Sequence, residues 1–160
     1  MHGVLWDSGV RIGTLVAILK GQERIRGLEW SYVDLGGASI RIVAENQKQK
    51  RDQSFRLHAD TAAALRAMQP RHKRYVFPWP FCEGTLYNRY ERILERAELP
   101  HGRRDKFHRM RRSVASWYKA AGGDATELLG HSDPRVTKCY LDPLITGSKQ
   151  ASDVLFRPAG

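Results

Sequence analysis

The chain has 160 residues, room for one ordinary domain with its own core but short for two, of which 41% are hydrophobic and 28% charged. No apolar run approaches bilayer length, no signal-peptide pattern opens the chain, and Cys82 and Cys139 show neither metal-ligand spacing nor a secreted framework, which excludes a membrane span and a disulfide scaffold. Twenty-seven Lys and Arg against 17 Asp and Glu leave a formal charge of +10, which favours a polyanionic partner; with no basic amphipathic helix to suit an anionic membrane, nucleic acid is the expected one.

In chain order, Val4 to about Lys20 reads as a helix interrupted near Gly9, with Leu15, Val16, Ile18 and Leu19 on its apolar face. Trp30 to Leu35, a Gly36-Gly37 turn, Ala38 to Ala44 and then Gln53 to His58 read as three short strands. The tract from Glu45 to Asp52 is the exposed basic loop between the last two. Asp60 is the expected N-cap of a helix through Met68, and Gly84 to Glu98 a second helix with Leu86, Tyr90, Ile93, Leu94 and Ala97 on one stripe. Phe77-Pro78-Trp79-Pro80, between them, is read as a loop because each proline biases its predecessor towards extended geometry.

A further helix is expected from about His108 to Ala121, with Met110, Val114, Trp117 and Ala121 on its apolar side, closed by Gly122-Gly123. Asp124 and Glu127 resemble a capping box that opens a short helix ending at Gly130. Ser132 or Asp133 then caps a helix with Pro134 at its first position, which carries Arg135 and Lys138 and ends at Tyr140. About Ser148 to Phe156 completes the chain as a last helix. The fold class is therefore α+β, mostly α-helical with a small antiparallel three-stranded sheet.

The spacing of three between His108 and Arg111 puts both on one helix face, with Arg103, Arg104, Lys106, Arg109 and Arg112 clustered nearby as a phosphate-sized positive pocket. Downstream, Leu128-Leu129-Gly130-His131-Ser132 is followed by Tyr140, nine positions after His131. This run resembles the C-terminal signature of the tyrosine recombinases of the phage-integrase family, and His108-Arg109-Met110-Arg111 resembles that family's central His-x-x-Arg box. Ser8-Gly9-Val10-Arg11 is similar to the family's early Gly-x-Arg box, with Arg24 and Arg26 as competitors for that position. Lys48 stands where the family places a Lys in a hairpin loop, with Lys50 as the competing assignment.

The chemistry such a family performs explains the residue types. Breaking a phosphodiester without metal or ATP needs a nucleophile, neutralisation of the non-bridging oxygens and a proton for the departing 5′ oxygen. The resemblance implies Tyr140 as nucleophile, Arg11 and Arg111 as forked phosphate ligands, Lys48 as general acid, His108 as proton acceptor and His131 as donor to the phosphate. It implies no cofactor and no metal, and double-stranded DNA as partner, contacted by Lys50, Arg51, Arg104, Lys106, Arg109, Arg112 and Arg135. It further implies a tetramer on DNA and a cytoplasmic setting of bacterial, phage or mobile-element origin.

The chain departs from the family pattern in three respects. The first box begins near residue 9, so residues 1–160 read as a catalytic domain whose N-terminal DNA-clasping domain and opening part are absent. About ten extra residues separate Arg11 from Trp30, and Thr14 and Arg112 stand where the family often has an acidic residue and a second His. A decayed, non-catalytic DNA-binding fragment of an integrase is the competing reading. A metal-dependent nuclease built on His101, His108 and His131 lacks the carboxylate cluster that would hold magnesium.

Overall fold

A left-handed glycine ends the first helix and sets the direction of everything after it. In the computed structural model, which describes residues 1–21, 25–47, 50–68, 72–102 and 105–147, α1 (His2–Ser8) buries Val4 and Leu5. Gly9, at φ 62°, donates its N–H to Leu5 O at 2.8 Å and turns the chain through Arg11 into α2 (Ile12–Leu15). The interrupted helix expected to reach Lys20 stops at Leu15. Val16, Ala17 and Ile18 continue directly as strand β1 (Val16–Ile18), buried throughout, because β-branched residues in an unbroken apolar run suit a strand covered on both faces.

The partner of β1 comes from the stretch read as a loop. Phe77–Trp79 forms a strand parallel to β1, with Val16 opposite Phe77 and Ile18 opposite Trp79. The extended geometry that Pro78 imposes excludes a helix but suits a strand, and in a two-stranded sheet both strands are edges, where a missing N–H is tolerated. Between them in sequence, Leu28 donates to Leu15 O at 3.0 Å and accepts from Val76 N–H at 2.9 Å, which threads residues 25–28 against β1.

The antiparallel sheet has the expected three strands, β2 (Val33–Asp34), β3 (Ser39–Ile42) and β4 (Gln53–Arg56), with Ile40 opposite both Val33 and Phe55. The Phe77–Trp79 strand is β5. Ile40, Ile42 and Phe55 face the core. The loop from β3 to β4 is tied at its base: the Asp52 carboxylate accepts from Arg41 and from Ala44 N–H at 2.7 Å, and Gln47 Nε2 donates to Arg51 O at 2.7 Å.

Among the described residues six further α-helices follow: α3 (Ala59–Ala67), α4 (Glu83–Arg96), α5 (Phe107–Ala120), α6 (Ala125–Leu129), α7 (Pro134–Lys138) and α8 (Pro143–Thr146). Asp60 lies in the first turn of α3 rather than at its cap, which is His58, whose N–H donates to Asp7 Oδ2 at 2.9 Å. Leu86, Tyr90 and Leu94 of α4 are buried, and Tyr90 stacks on Phe107 of α5 with ring centroids 4.0 Å apart. Ile93 and Trp117, placed on apolar stripes by their spacing, are exposed, because the stripes that meet neighbouring elements are narrower than the periodicity suggests. Asp124 caps α6 as expected, accepting from Thr126 and Glu127 N–H, and of the two candidates for α7 Asp133 is the one that accepts from the helix. The architecture is α+β and mostly helical, with a parallel two-stranded sheet beside the antiparallel one. The last expected helix, at 148–156, falls outside the described residues.

At Gly27 another stretch of backbone lies close: at φ 151° an added Cβ would sit 2.8 Å from Ala17 N, whereas at Gly21, φ 76°, it would meet nothing within 4 Å. Gly21→Ala is expected to cost about 1–2 kcal/mol for conformation alone and Gly27→Ala distinctly more, read from urea unfolding midpoints. Equal losses would mean that β1 yields freely.

Candidate active site

The centre of the site is a buried cation. Arg111, one turn into α5, is 4% exposed, and its two terminal nitrogens donate to Gly9 O at 2.5 Å and Leu129 O at 2.9 Å. Both acceptors are set by left-handed glycines. Gly9 caps α1, and Gly130, at φ 66°, closes α6 while His131 N–H reaches back to Thr126 O at 3.0 Å. The guanidinium thus joins α1, α5 and α6 through neutral carbonyls, with the Tyr140 phenol as a further hydrogen-bond partner, and its Nε has no partner among the described residues. Burial and the neighbouring Arg11 pull its pKa down to about 10, with Tyr140 acting the other way. It is still charged at neutral pH, and a charge buried in this way favours an anion beside it.

Around this cation the chain assembles five of the six residues expected to act. The Arg111 guanidinium lies 5.7 Å from the centre of the Tyr140 ring, and that ring is 4.9 Å from His108 and 5.0 Å from His131. Arg11, the N-cap of α2, lies close enough to lower the pKa of Arg111 and of both histidines. Tyr140 follows α7 by two residues, packs on Ala115, Ala125 and Leu129, and is held by a residue the sequence gave no reason to single out. Ser116, fully buried on α5, accepts from Asp142 N–H at 2.8 Å and contacts Tyr140 O at 3.4 Å. Thr137, also buried, bonds to His131 at 3.0 Å. Small hydroxyls on short helices look alike in sequence whether solvated or structural. Lys48, the sixth residue, falls outside the described residues.

A cleft of about 610 Å³ opens beside this cluster, lined in part by Arg11, Arg26, Lys106, His108 and Arg111. Of the competitors for the early position, Arg26 lines the cleft without bearing on the histidines, and Arg24 lies outside the described residues. Several cations expected on DNA are paired with carboxylates. Lys106 meets Glu91 at 2.7 Å, Arg109 meets Asp105 at 3.2 Å and Arg135 meets Asp133 at 3.0 Å. Lys50 and Arg51 are exposed on the β3–β4 loop, Arg112 is half-buried, and Arg104 lies outside the described residues. His101 sits beside Glu95, at 3.8 Å, and no three His, Cys, Asp or Glu among the described residues come together as metal ligands.

The family model for the phage integrase family matches residues 5–145, from within α1 to within α8. The chain belongs to the phage integrase family. Its fold is similar to that in the crystal structure of XerA recombinase, with a TM-score of 0.64 and 21% identity, over 94% of this chain and 51% of that one. The chain therefore spans about half the length of that solved relative. No curated protein matches it. No helix among the described residues is long and apolar enough to cross a membrane.

Two consequences follow for this integrase-family site. Arg111→Lys keeps the charge but replaces a planar fork by a point donor that cannot reach both carbonyls. The variant is expected to lose about 1–3 kcal/mol of stability, measured by denaturant unfolding. Burial, then Arg111 and Arg11, push both His108 and His131 below the ordinary histidine pKa of 6.5. Below that value the unfolded chain binds protons that the folded site resists, so this stabilisation is complete above it and is lost as pH falls towards the folded pKa values. Melting temperature should therefore drop between about pH 7.5 and 5.5, and the paired substitution His108→Gln, His131→Gln should flatten the drop, leaving the part due to His2 and the N-terminal amine. An unchanged slope would assign the effect elsewhere.

Proposed function

We propose that this chain is the catalytic domain of a site-specific recombinase that cleaves and rejoins double-stranded DNA through a 3′-phosphotyrosyl intermediate, without metal or ATP. The observation that carries the reading is Arg111: a buried guanidinium held by neutral groups, two carbonyls and the Tyr140 phenol, with Arg11 beside it and that tyrosine's ring 5.7 Å away, favours an anion within reach of a nucleophile.

On this reading the two arginines hold the non-bridging oxygens of the scissile phosphate, and Tyr140 Oη attacks phosphorus in line. Its proton passes to His108, which its depressed pKa keeps neutral and able to accept. The bond from phosphorus to the 5′ oxygen breaks as Lys48, in the loop after β3, supplies that oxygen's proton, while His131 donates to the phosphate. The covalent bond conserves the phosphodiester's energy, so a 5′ hydroxyl from another strand can reverse the step and complete exchange. Lys50, Arg51, Arg104 and Arg112 are the cations proposed for the flanking backbone. Lys106, Arg109 and Arg135 join them by exchanging Glu91, Asp105 and Asp133 for phosphate. Four protomers on one DNA synapse, in the cytoplasm of a bacterial, phage or mobile-element host, complete the picture.

A suicide duplex, nicked so that the cleaved piece diffuses away, tests this reading in the presence of chelator. Wild type should form a covalent protein–DNA adduct on a denaturing gel, and Tyr140→Phe should bind the duplex without forming one. Binding by both with an adduct from neither would turn the conclusion to an integrase remnant that retains DNA and has lost turnover.

A further inference from the structure

We propose that Thr137 is a positioning residue that holds His131 in the tautomer carrying its proton on Nε2, so that the ring presents a hydrogen-bond donor to the phosphate. The argument rests on where two protons can go. Thr137 is 3% exposed on the inner side of α7, and His131 Nδ1, 3.0 Å from its Oγ1, is its only side-chain hydrogen-bond partner among the described residues. If Nδ1–H donated to Oγ1, the buried hydroxyl proton would be left without an acceptor, and an unmet donor costs more than a made bond returns. The hydroxyl therefore donates to Nδ1.

A neutral imidazole has one proton, and with Nδ1 accepting, it sits on Nε2. That nitrogen is itself buried with no hydrogen-bond partner among the described residues, on a ring 5.0 Å from the Tyr140 ring, and so has a donor to satisfy. The charged and titratable groups that face the ring are Arg11 ahead of α2, Arg111 on α5 and the Tyr140 phenol after α7. The two arginines and burial keep the ring neutral, which is the condition under which its tautomer matters at all. Cation neighbours alone would favour the opposite form, a lone pair on Nε2 facing the guanidinium groups, so the hydroxyl decides against the local field.

The phosphate as acceptor belongs to the recombinase reading above, whereas the tautomer does not depend on it. The ring nitrogens of His131 in the ¹⁵N-labelled protein, assigned by their loss in His131→Gln, report the tautomer at neutral pH for wild type, Thr137→Val and Thr137→Ser. Adduct formation on the suicide duplex is followed in parallel from mildly acidic to mildly alkaline pH. Wild type and Thr137→Ser should show Nε2–H, and Thr137→Val a mixture. Thr137→Val should form adduct about ten- to a hundredfold more slowly at neutral pH, the range an orienting partner commands for metal-bound histidines. The deficit should close in acid, where the imidazolium donates from both nitrogens whatever residue 137 is, and Thr137→Ser should restore the wild-type rate. Nδ1–H in wild type overturns the assignment, as does a Thr137→Val rate equal to wild type at every pH. If Thr137→Val fails to fold, the wild-type and Thr137→Ser spectra still decide. Wild type that shows Nε2–H but forms no adduct overturns the cleavage reading and leaves the assignment of the Thr137 hydrogen bond standing.

Discussion

Everything in the site depends on Arg111 being satisfied by two carbonyl oxygens instead of a carboxylate. Taking a guanidinium out of water costs on the order of several kcal/mol, and an ion pair would offset that cost while cancelling the charge. Gly9 O and Leu129 O accept the protons without neutralising the group. The charge survives in a dry environment, where it acts on a bound anion more strongly than it could in water. The carbonyls are available because two helices end in left-handed glycines that turn their last peptides towards α5. The same contacts join α1, α5 and α6, so the interaction that charges the site also closes the domain around it.

The cations condition their neighbours as well. Burial first, with Arg111 and Arg11 adding to it, lowers the pKa of both histidines, so that each imidazole is neutral and its hydrogen-bonding role is set by geometry rather than by bulk pH. The Tyr140 ring lies at nearly equal distance from the two, and the chain just after it is tied to α5 by Asp142 N–H donating to the buried Ser116 hydroxyl. Away from this centre the balance reverses: basic side chains on α5, before it and on α7 are met by Glu91, Asp105 and Asp133. The exposed pairs at Asp105 and Asp133 contribute little to stability and exchange readily with phosphate, whereas Lys106 is largely buried against Glu91, so the net charge of +10 overstates the cations immediately open to DNA.

The family was legible from ordered motifs, since Gly-x-Arg, His-x-x-Arg and Leu-Gly-His-Ser followed by Tyr140 point to it and the family model matches residues 5–145. The three-stranded sheet and the cap at Asp124 were legible too, because alternation and capping are local rules, while Asp133 was one of two candidates for the next cap. The stretch from Val16 to Ile18 was misread as helix and Phe77 to Trp79 as loop, because a parallel pairing across about sixty residues of sequence leaves no local trace.

What the sequence determined by itself, then, was identity: the motifs that mark the family, and the glycines at which α1 and α6 end left-handed. Only the tertiary structure decided that Arg111 is buried on carbonyls, that Ser116 and Thr137 are anchors rather than surface hydroxyls, and that Trp117 faces solvent. The physical reason is that burial and hydrogen-bond partnership belong to pairs of residues far apart in the chain. Gly9 and Arg111 are 102 positions apart, and no window of sequence contains both.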